Sequence, residues 1–323
     1  MVYKIKRTSD GSISRYKARL VAQGFNQEKG LDYTETFSPV VRHTTVRLVL
    51  ALAATHHWEL RQLDVKNAFL HGDLQEEVYM KQPQGFVHPN FPTHVCKLVK
   101  SLYGLKQAPR AWNDKITTYL QAIGFKASLS DSSLFVHTVG TDVVILLLYV
   151  DDIIITGSNS QLIQSVITTL NAAFDLKDMG RLFYFLGLQI TYKSNGDLFI
   201  NQAKYTKDLI HKAGMDDCKP CSTPCKPRNQ VLSTEGLLLS DPTLYRSLVG
   251  GLQYLTFTRP DIAFAVNNVC QYMNAPTDIH LAMVKRIIRF LQGTLQCGLT
   301  YISGGSLTVT AYSDSDWAAD LNT

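Results

Sequence analysis

Apolar and basic residues alternate at the start of the chain, with Val2, Tyr3 and Ile5 set among Lys4, Lys6 and Arg7. After Ser9-Asp10-Gly11 the alternation resumes with Ile13, Tyr16, Leu20 and Val21. An Asp-Gly pair between alternating segments predicts a β-hairpin. Over 44–56 the apolar positions Val46, Val49, Leu50, Leu52 and Ala53 recur at helical spacing, which predicts an amphipathic helix. A short strand follows over 59–65, with Asp64 near its end. Residues 81–93 contain prolines and glycine and read as loop, and 109–123 reads as a helix stopped by Gly124.

The apolar runs 134–139, 143–150 and 153–156 predict a three-stranded meander. Gly140-Thr141-Asp142 makes its first turn. Only Asp151 and Asp152 are left for the second, so two carboxylates tip a hairpin of otherwise apolar strands. Beyond Gly157 the pattern predicts a helix over 161–174, strands over 186–192 and 198–201, and a helix over 202–213. Residues 218–234 are polar, carry Pro220, Pro224 and Pro227, and read as a crossing between subdomains. Further helices are expected over 245–255, 262–273 and 279–291, the last capped by Thr277 or Asp278. A final strand is expected over 306–312.

At 323 residues, 45% hydrophobic and 18% charged, the chain has room for two domains and a large core, and collagen, coiled coil and extended disorder are excluded. The longest apolar run, 143–150, is eight residues long and ends at two aspartates, too short for a bilayer core of about 30 Å. No apolar signal segment follows Met1, so an intracellular protein without membrane contact is expected. Six scattered cysteines suit a reducing compartment.

The net charge of +5 is unevenly spread. Lys4, Lys6, Arg7, Arg15, Lys17 and Arg19 face Asp10 alone within the first 19 residues, making that segment as positive as the whole chain. Residues 97–115 form a second basic stretch. Between the two, 59–77 is acidic, with Glu59, Asp64, Asp73, Glu76 and Glu77. Cationic walls around a carboxylate centre suit metal-dependent chemistry on a polyanion, although solvated faces would give the same charge pattern.

Adjacent aspartates flanked by apolar strands raise each other's pKa unless a cation lies between them. Asp64 is a natural third ligand if its strand lies beside the hairpin. Three carboxylates around two Mg²⁺ or Mn²⁺ ions about 3.5–4 Å apart form the clamp used in phosphoryl transfer. The alternative is a tight turn built from residues that tolerate positive φ.

Longer motifs decide between these. Gln62-Leu63-Asp64-Val65-Lys66-Asn67-Ala68-Phe69-Leu70-His71-Gly72, then Ser101-Leu102-Tyr103-Gly104-Leu105-Lys106-Gln107-Ala108-Pro109-Arg110-Ala111-Trp112, then Tyr149-Val150-Asp151-Asp152, resemble the reverse transcriptase of Ty1/copia-type LTR retrotransposons. Tyr16-Lys17-Ala18-Arg19-Leu20-Val21-Ala22 and residues 32–41 match the same family's pattern. The resemblance implies an α+β right-hand polymerase of fingers, palm and thumb, with an antiparallel palm sheet. It assigns 1–200 to fingers and palm, 201–305 to thumb and connection helices, and 306–323 to the truncated first strand of a ribonuclease H domain.

By the same resemblance Asp64, Asp151 and Asp152 are the catalytic, metal-binding carboxylates, holding two Mg²⁺ or Mn²⁺ ions. Phe69 matches the aromatic gate that favours deoxynucleotides, and Lys17 and Arg19 would grip the incoming triphosphate. Gln107 would support nucleotide and template, in preference to Pro83-Gln84-Gly85-Phe86, which lies too close to Asp64. Lys177 corresponds to the lysine that protonates departing pyrophosphate, and Phe185-Leu186-Gly187 to the primer-grip turn. Asp314, with Asp316 as the alternative, would be the first carboxylate of a ribonuclease H site whose other carboxylates would lie beyond Thr323, so that activity is not expected.

The implied function is RNA-directed DNA polymerisation on an RNA template or DNA primer/template with dNTPs. The implied setting is a cytoplasmic virus-like particle and a Pol polyprotein that also holds integrase and ribonuclease H. The alternative is a catalytically silent transposon remnant that only binds nucleic acid. Cys218, Cys221 and Cys225 lack a fourth ligand at zinc spacing, and His56-His57 reads as a helix-dipole complement.

Overall fold

The computed structural model describes residues 1–7, 11–226 and 231–313. The chain divides into two compact units, one of Met1–Val49 with Trp58–Arg181 and the other of Leu50–His57 with Leu182–Thr323. The first unit opens on an antiparallel ribbon, β1 (Val2–Arg7) and β2 (Ile13–Arg19). Its predicted turn falls partly outside the described residues. Alternating apolar and basic side chains leave most of the ribbon exposed. Helix α1 (His43–Thr55) begins in this unit, and its residues from Leu50 onward belong to the second. Then come β3 (Arg61–Val65), β4 (Asp73–Lys81), β5 (Val95–Lys100), α2 (Ala108–Ala122), β6 (Lys126–Ala127), β7 (Leu134–Val139), β8 (Asp142–Tyr149), β9 (Asp152–Gly157), α3 (Ser160–Phe174) and β10 (Leu176–Arg181). The pairing of β4 with β5 and the strand β10 are not foreshadowed in the sequence, because Asp73–Lys81 and Leu176–Arg181 have no clean apolar alternation.

Six strands form one antiparallel sheet in the order β10-β3-β9-β8-β7-β6. Its core face carries Leu63, Val65, Val144, Leu146, Leu148, Ile153 and Ile155. Against them pack Trp112, Ile116 and Leu120, four apart on α2, and Ile163, Val166, Ile167, Leu170 and Phe174 on α3. That spacing puts each set on one stripe of its helix. Each large apolar side chain so buried contributes about 1.5–3 kcal/mol relative to exposure.

The hairpin register differs from the sequence reading. Tyr149 pairs with Asp152, so the two loop residues are Val150 and Asp151, and Asp152 belongs to β9. Both strands are apolar on both faces, so alternation could not set their register; packing does. Leu148 pairs with Ile153, and both face the core. The positive φ of this turn therefore falls on Val150, at 54°.

The second unit contains β11 (Tyr184–Phe185), β12 (Leu188–Tyr192), β13 (Leu198–Asn201), α4 (Ala203–Lys212), α5 (Thr243–Leu255), α6 (Ala263–Cys270), α7 (Asp278–Gly293) and β14 (Leu299–Tyr301). Its strands run in the order β11-β12-β13-β14. Residues 306–312 are irregular instead of the expected strand, and Val309 (93%) and Tyr312 (94%) are exposed. The short β14 pairs with β13 upstream of them, leaving that segment unpaired among the described residues. No helix among the described residues is long and apolar enough to cross a membrane.

Thr277 caps α7 and shares a capping box with His280. The Thr277 backbone N–H donates to His280 Nδ1 at 3.0 Å, His280 Nε2 contacts the Leu232 carbonyl at 3.3 Å, and the imidazole stacks on Tyr272 at 3.8 Å. Burial lowers its pKa from the ordinary 6.5, while the Leu232 carbonyl, Glu235 and Asp278 pull the other way. A depressed folded-state pKa means that this group's contribution is full above 6.5 and is lost as pH falls through the folded value. The stability advantage of the parent over His280→Gln, measured by thermal melts, should be largest above about pH 7 and shrink on acidification. An advantage that stays constant down to about pH 5 would refute this.

Candidate active site

The sheet register assembles the site. Lys177 pairs with Asp64, Asp64 with Asp152, and Asp152 with Tyr149, giving one row across β10, β3, β9 and β8. Side chains of paired residues share a face, and this row lies opposite the face that carries Leu63, Val65, Leu148 and Ile153. Asp151 sits in the adjoining turn, where its carbonyl accepts from Val65 N–H at 2.8 Å. Strand β3 is thus tied to the hairpin on both sides of Asp64.

Asp152 is half-buried, and burial pushes its carboxyl pKa up. A hydrogen bond from Gln62 Nε2 at 3.2 Å opposes the shift, and the charges of Asp151 and Asp64 add to it. Among the described residues no ion pair engages any of the three aspartates. An oxygen-only, mutually repelling set of this kind suits a hard divalent cation. The described residues nevertheless contain no ready-made cluster of three His, Cys, Asp or Glu side chains able to hold a metal. The sheet register brings Asp64 and Asp152 side by side along the backbone, with Asp151 in the adjoining turn.

Beside the row lies an aromatic and basic wall. Phe69, on a short 3-10 turn after β3, packs edge-to-face on Tyr103 with ring centroids 5.1 Å apart. The Arg19 guanidinium stands over the other aromatic surface of this pair, 4.7 Å from the Tyr103 centroid. Burial raises the Tyr103 pKa, Arg19 opposes this by charge and by a hydrogen bond, and Asp151 and Asp64 add to the rise. Lys17 is lowered by desolvation first and then by Arg19, Arg15 and Lys6, with Asp64 pulling the other way. Lys17, Arg19, Phe69, Tyr103 and the aspartates therefore share one electrostatic neighbourhood. Sequence reasoning missed Tyr103, although it stands inside a motif already singled out.

Gln107 lies at the start of α2. It is 2% exposed. Its amide accepts from Gln27 Nε2 at 3.0 Å and donates to the Asp32 carbonyl at 3.0 Å, so both ends are committed inside the protein. It holds the 23–33 loop against the start of α2. A second missed residue is Trp112, whose indole N–H donates to the Val150 carbonyl at 2.6 Å and anchors the aspartate turn.

In the second unit, Phe185 pairs with Leu188, so Leu186 and Gly187 form a two-residue turn with positive φ at both positions. Tyr254 hydroxyl donates to the Leu186 carbonyl. Asp314 and Asp316 lie outside the described residues.

The site is thus an acidic row on an antiparallel sheet with basic and aromatic side chains beside it. Residues 1–227 match the family model described as reverse transcriptase (RNA-dependent DNA polymerase). The chain is 50% identical over 319 residues to the retrovirus-related Pol polyprotein from transposon RE1 of Arabidopsis thaliana, covering 99% of this chain and 22% of that protein. It is 40% identical over 332 residues to the corresponding polyprotein from transposon TNT 1-94 of Nicotiana tabacum, covering 99% and 25%. A putative transposon Ty5-1 protein of Saccharomyces cerevisiae is 33% identical over 258 residues, with coverage of 80% and 84%. The chain belongs to the reverse transcriptase family, in its Ty1/copia-type branch. It spans 22% and 25% of the two plant polyproteins.

Proposed function

We propose that this protein is an RNA-directed DNA polymerase that extends a primer on an RNA or DNA template. The observation that carries the reading is the row of Lys177, Asp64 and Asp152 beside the Asp151 turn, with Lys17 coupled to Asp64 and Arg19 beside Lys17. In polymerase terms the β1–β2 ribbon belongs to the fingers, the six-stranded sheet to the palm, and α4 to α7 to the thumb.

Asp64, Asp151 and Asp152 would hold divalent cations, Mg²⁺ or Mn²⁺, two in number. When bound, such ions neutralise triphosphate charge and ease ionisation of a primer 3′-hydroxyl. Arg19 and Lys17 bind the triphosphate, where the planar guanidinium suits a phosphate oxygen pair. Phe69 fills the space that a ribose 2′-hydroxyl would need and so selects deoxynucleotides. As the 3′-oxygen bonds to the α-phosphorus, the α–β phosphoanhydride bond breaks and pyrophosphate leaves. Lys177, exposed and opposite Asp64 in register, supplies a proton to that leaving group. The parent assembly is a Pol polyprotein with integrase and ribonuclease H.

The test is primer extension on oligo(dT)-primed poly(rA) with Mg²⁺ or Mn²⁺. The parent chain should incorporate dTTP, and Asp151→Asn should fold by circular dichroism but incorporate none. Binding of primed template without extension would identify a silent remnant. Shortening of the template would identify a nuclease, and either result overturns the proposal.

A further inference from the structure

Within the Ser101–Trp112 segment, Gln107 is the side chain that the family resemblance assigns to the nucleotide, and Tyr103 is the one that stands beside Phe69 and Arg19. Gln107 is committed to Gln27 and Asp32. Tyr103 is half-buried, its ring touches both Phe69 and the Arg19 guanidinium, and its hydroxyl lies in the fields of Asp64 and Asp151.

Its backbone is held unusually firmly. The Tyr103 carbonyl accepts from Ala22 N–H at 2.7 Å. The next residue, Gly104, has φ +91°, and a Cβ there would come within 2.3 Å of the Ala22 carbonyl oxygen. Only glycine lets the motif run this close to the end of the β2 segment. The same contact brings Tyr103 under Arg19, while Arg19 Nε is buried without a hydrogen-bond partner. The guanidinium is thus held by Tyr103 both through the ring face below it and through a hydrogen bond.

We infer that Tyr103 is a positioning residue for the incoming nucleoside triphosphate: its ring seats the Arg19 guanidinium so that the guanidinium N–H groups meet the phosphates, and with Phe69 it walls the pocket beside the aspartates. The inference rests on the polymerase reading and assigns to Tyr103 the nucleotide-facing role expected of Gln107. A cation over an aromatic face is favoured by the ring quadrupole, and a guanidinium stacks well there.

Single-nucleotide incorporation and equilibrium dialysis of dTTP with the parent and variant chains test it. Tyr103→Ala should raise the KM for dTTP about tenfold and weaken dTTP binding to match, with affinity for primed template unchanged. Tyr103→Phe, which keeps the ring under the guanidinium, should recover most of that loss. Arg19→Ala should have a similar effect, and the double variant Tyr103→Ala with Arg19→Ala should be no worse than the poorer single variant, because the two act as one unit. A purely structural role would lower kcat and thermal stability with additive effects.

A dTTP KM within twofold of the parent's in folded Tyr103→Ala, or multiplying effects in the double variant, overturns the inference. If the parent extends no primer, the polymerase reading fails; dialysis still reports on Tyr103, and unchanged dTTP binding by Tyr103→Ala then sinks this inference as well. Where Tyr103→Ala does not fold, Tyr103→Leu carries the same comparison.

Discussion

Asp152→Asn should reduce primer extension by on the order of 1,000-fold or more while leaving the fold as stable as the parent's or slightly more so. The carboxyl of Asp152 is half-buried, faces Asp64 across two strands and has Asp151 as its chain neighbour, all of which disfavour its charge. Only the Gln62 hydrogen bond acts in its favour. Asparagine keeps the shape and the acceptor for Gln62 while removing the charge. The gain is small because the site is still partly screened by solvent, so a rise in melting temperature of about 1–3 °C is expected.

The pH dependence has a definite sign. A raised folded-state pKa means that the folded chain binds this proton more tightly than the unfolded chain does. The carboxyl's contribution is complete below the ordinary value of 3.8 and is lost as pH rises through the folded value. The variant's advantage should therefore grow with pH across that window and level off above it. Thermal melts between about pH 4 and pH 7 read this directly. A variant that melts below the parent at pH 7 would contradict the account of a strained carboxylate.

The second large effect is expected at Trp112. Its side chain is 1% exposed and meets Phe174 edge-on at 5.4 Å, and its N–H reaches the Val150 carbonyl. Val150 is β-branched yet sits at φ 54°, a conformation that costs about 1–3 kcal/mol unless its surroundings impose it. The indole hydrogen bond is one of the restraints that impose it. Trp112→Phe removes that donor and part of the ring volume, and should cost about 2–3 kcal/mol of stability. Freed to relax, the turn shifts Asp151. At a temperature where the variant remains folded, kcat should drop by on the order of 100-fold while the dTTP KM stays near the parent value. A kcat within twofold of the parent's, alongside the stability loss, would leave Trp112 a packing residue only.

Much of this was legible in one dimension. The helices α2, α3, α5 and α7 follow from apolar residues three and four apart, and the three aspartates from their motif context. Strand β10 was not legible, since Leu-Lys-Asp-Met-Gly-Arg has no alternation and becomes a strand only because β3 presents an open edge. The surroundings of Gln107 and Tyr103 in the Ser101–Trp112 segment were not legible for a related reason. Contacts distant in sequence decide their surroundings: Gln27 and Asp32 hold Gln107, and Arg19 stands over Tyr103 beside the close approach of Gly104 to Ala22.

The sequence by itself determined which residues carry charge and aromatic surface, which stretches are helical, and the family. Local periodicity and motif spacing are properties of neighbouring residues, and no folding is needed to see them. Register was left to the tertiary structure. Strands apolar on both faces pair equally well after a one-residue slip until packing chooses. That choice moved the turn from Asp151-Asp152 to Val150-Asp151 and set Asp152 in line with Asp64 and Lys177.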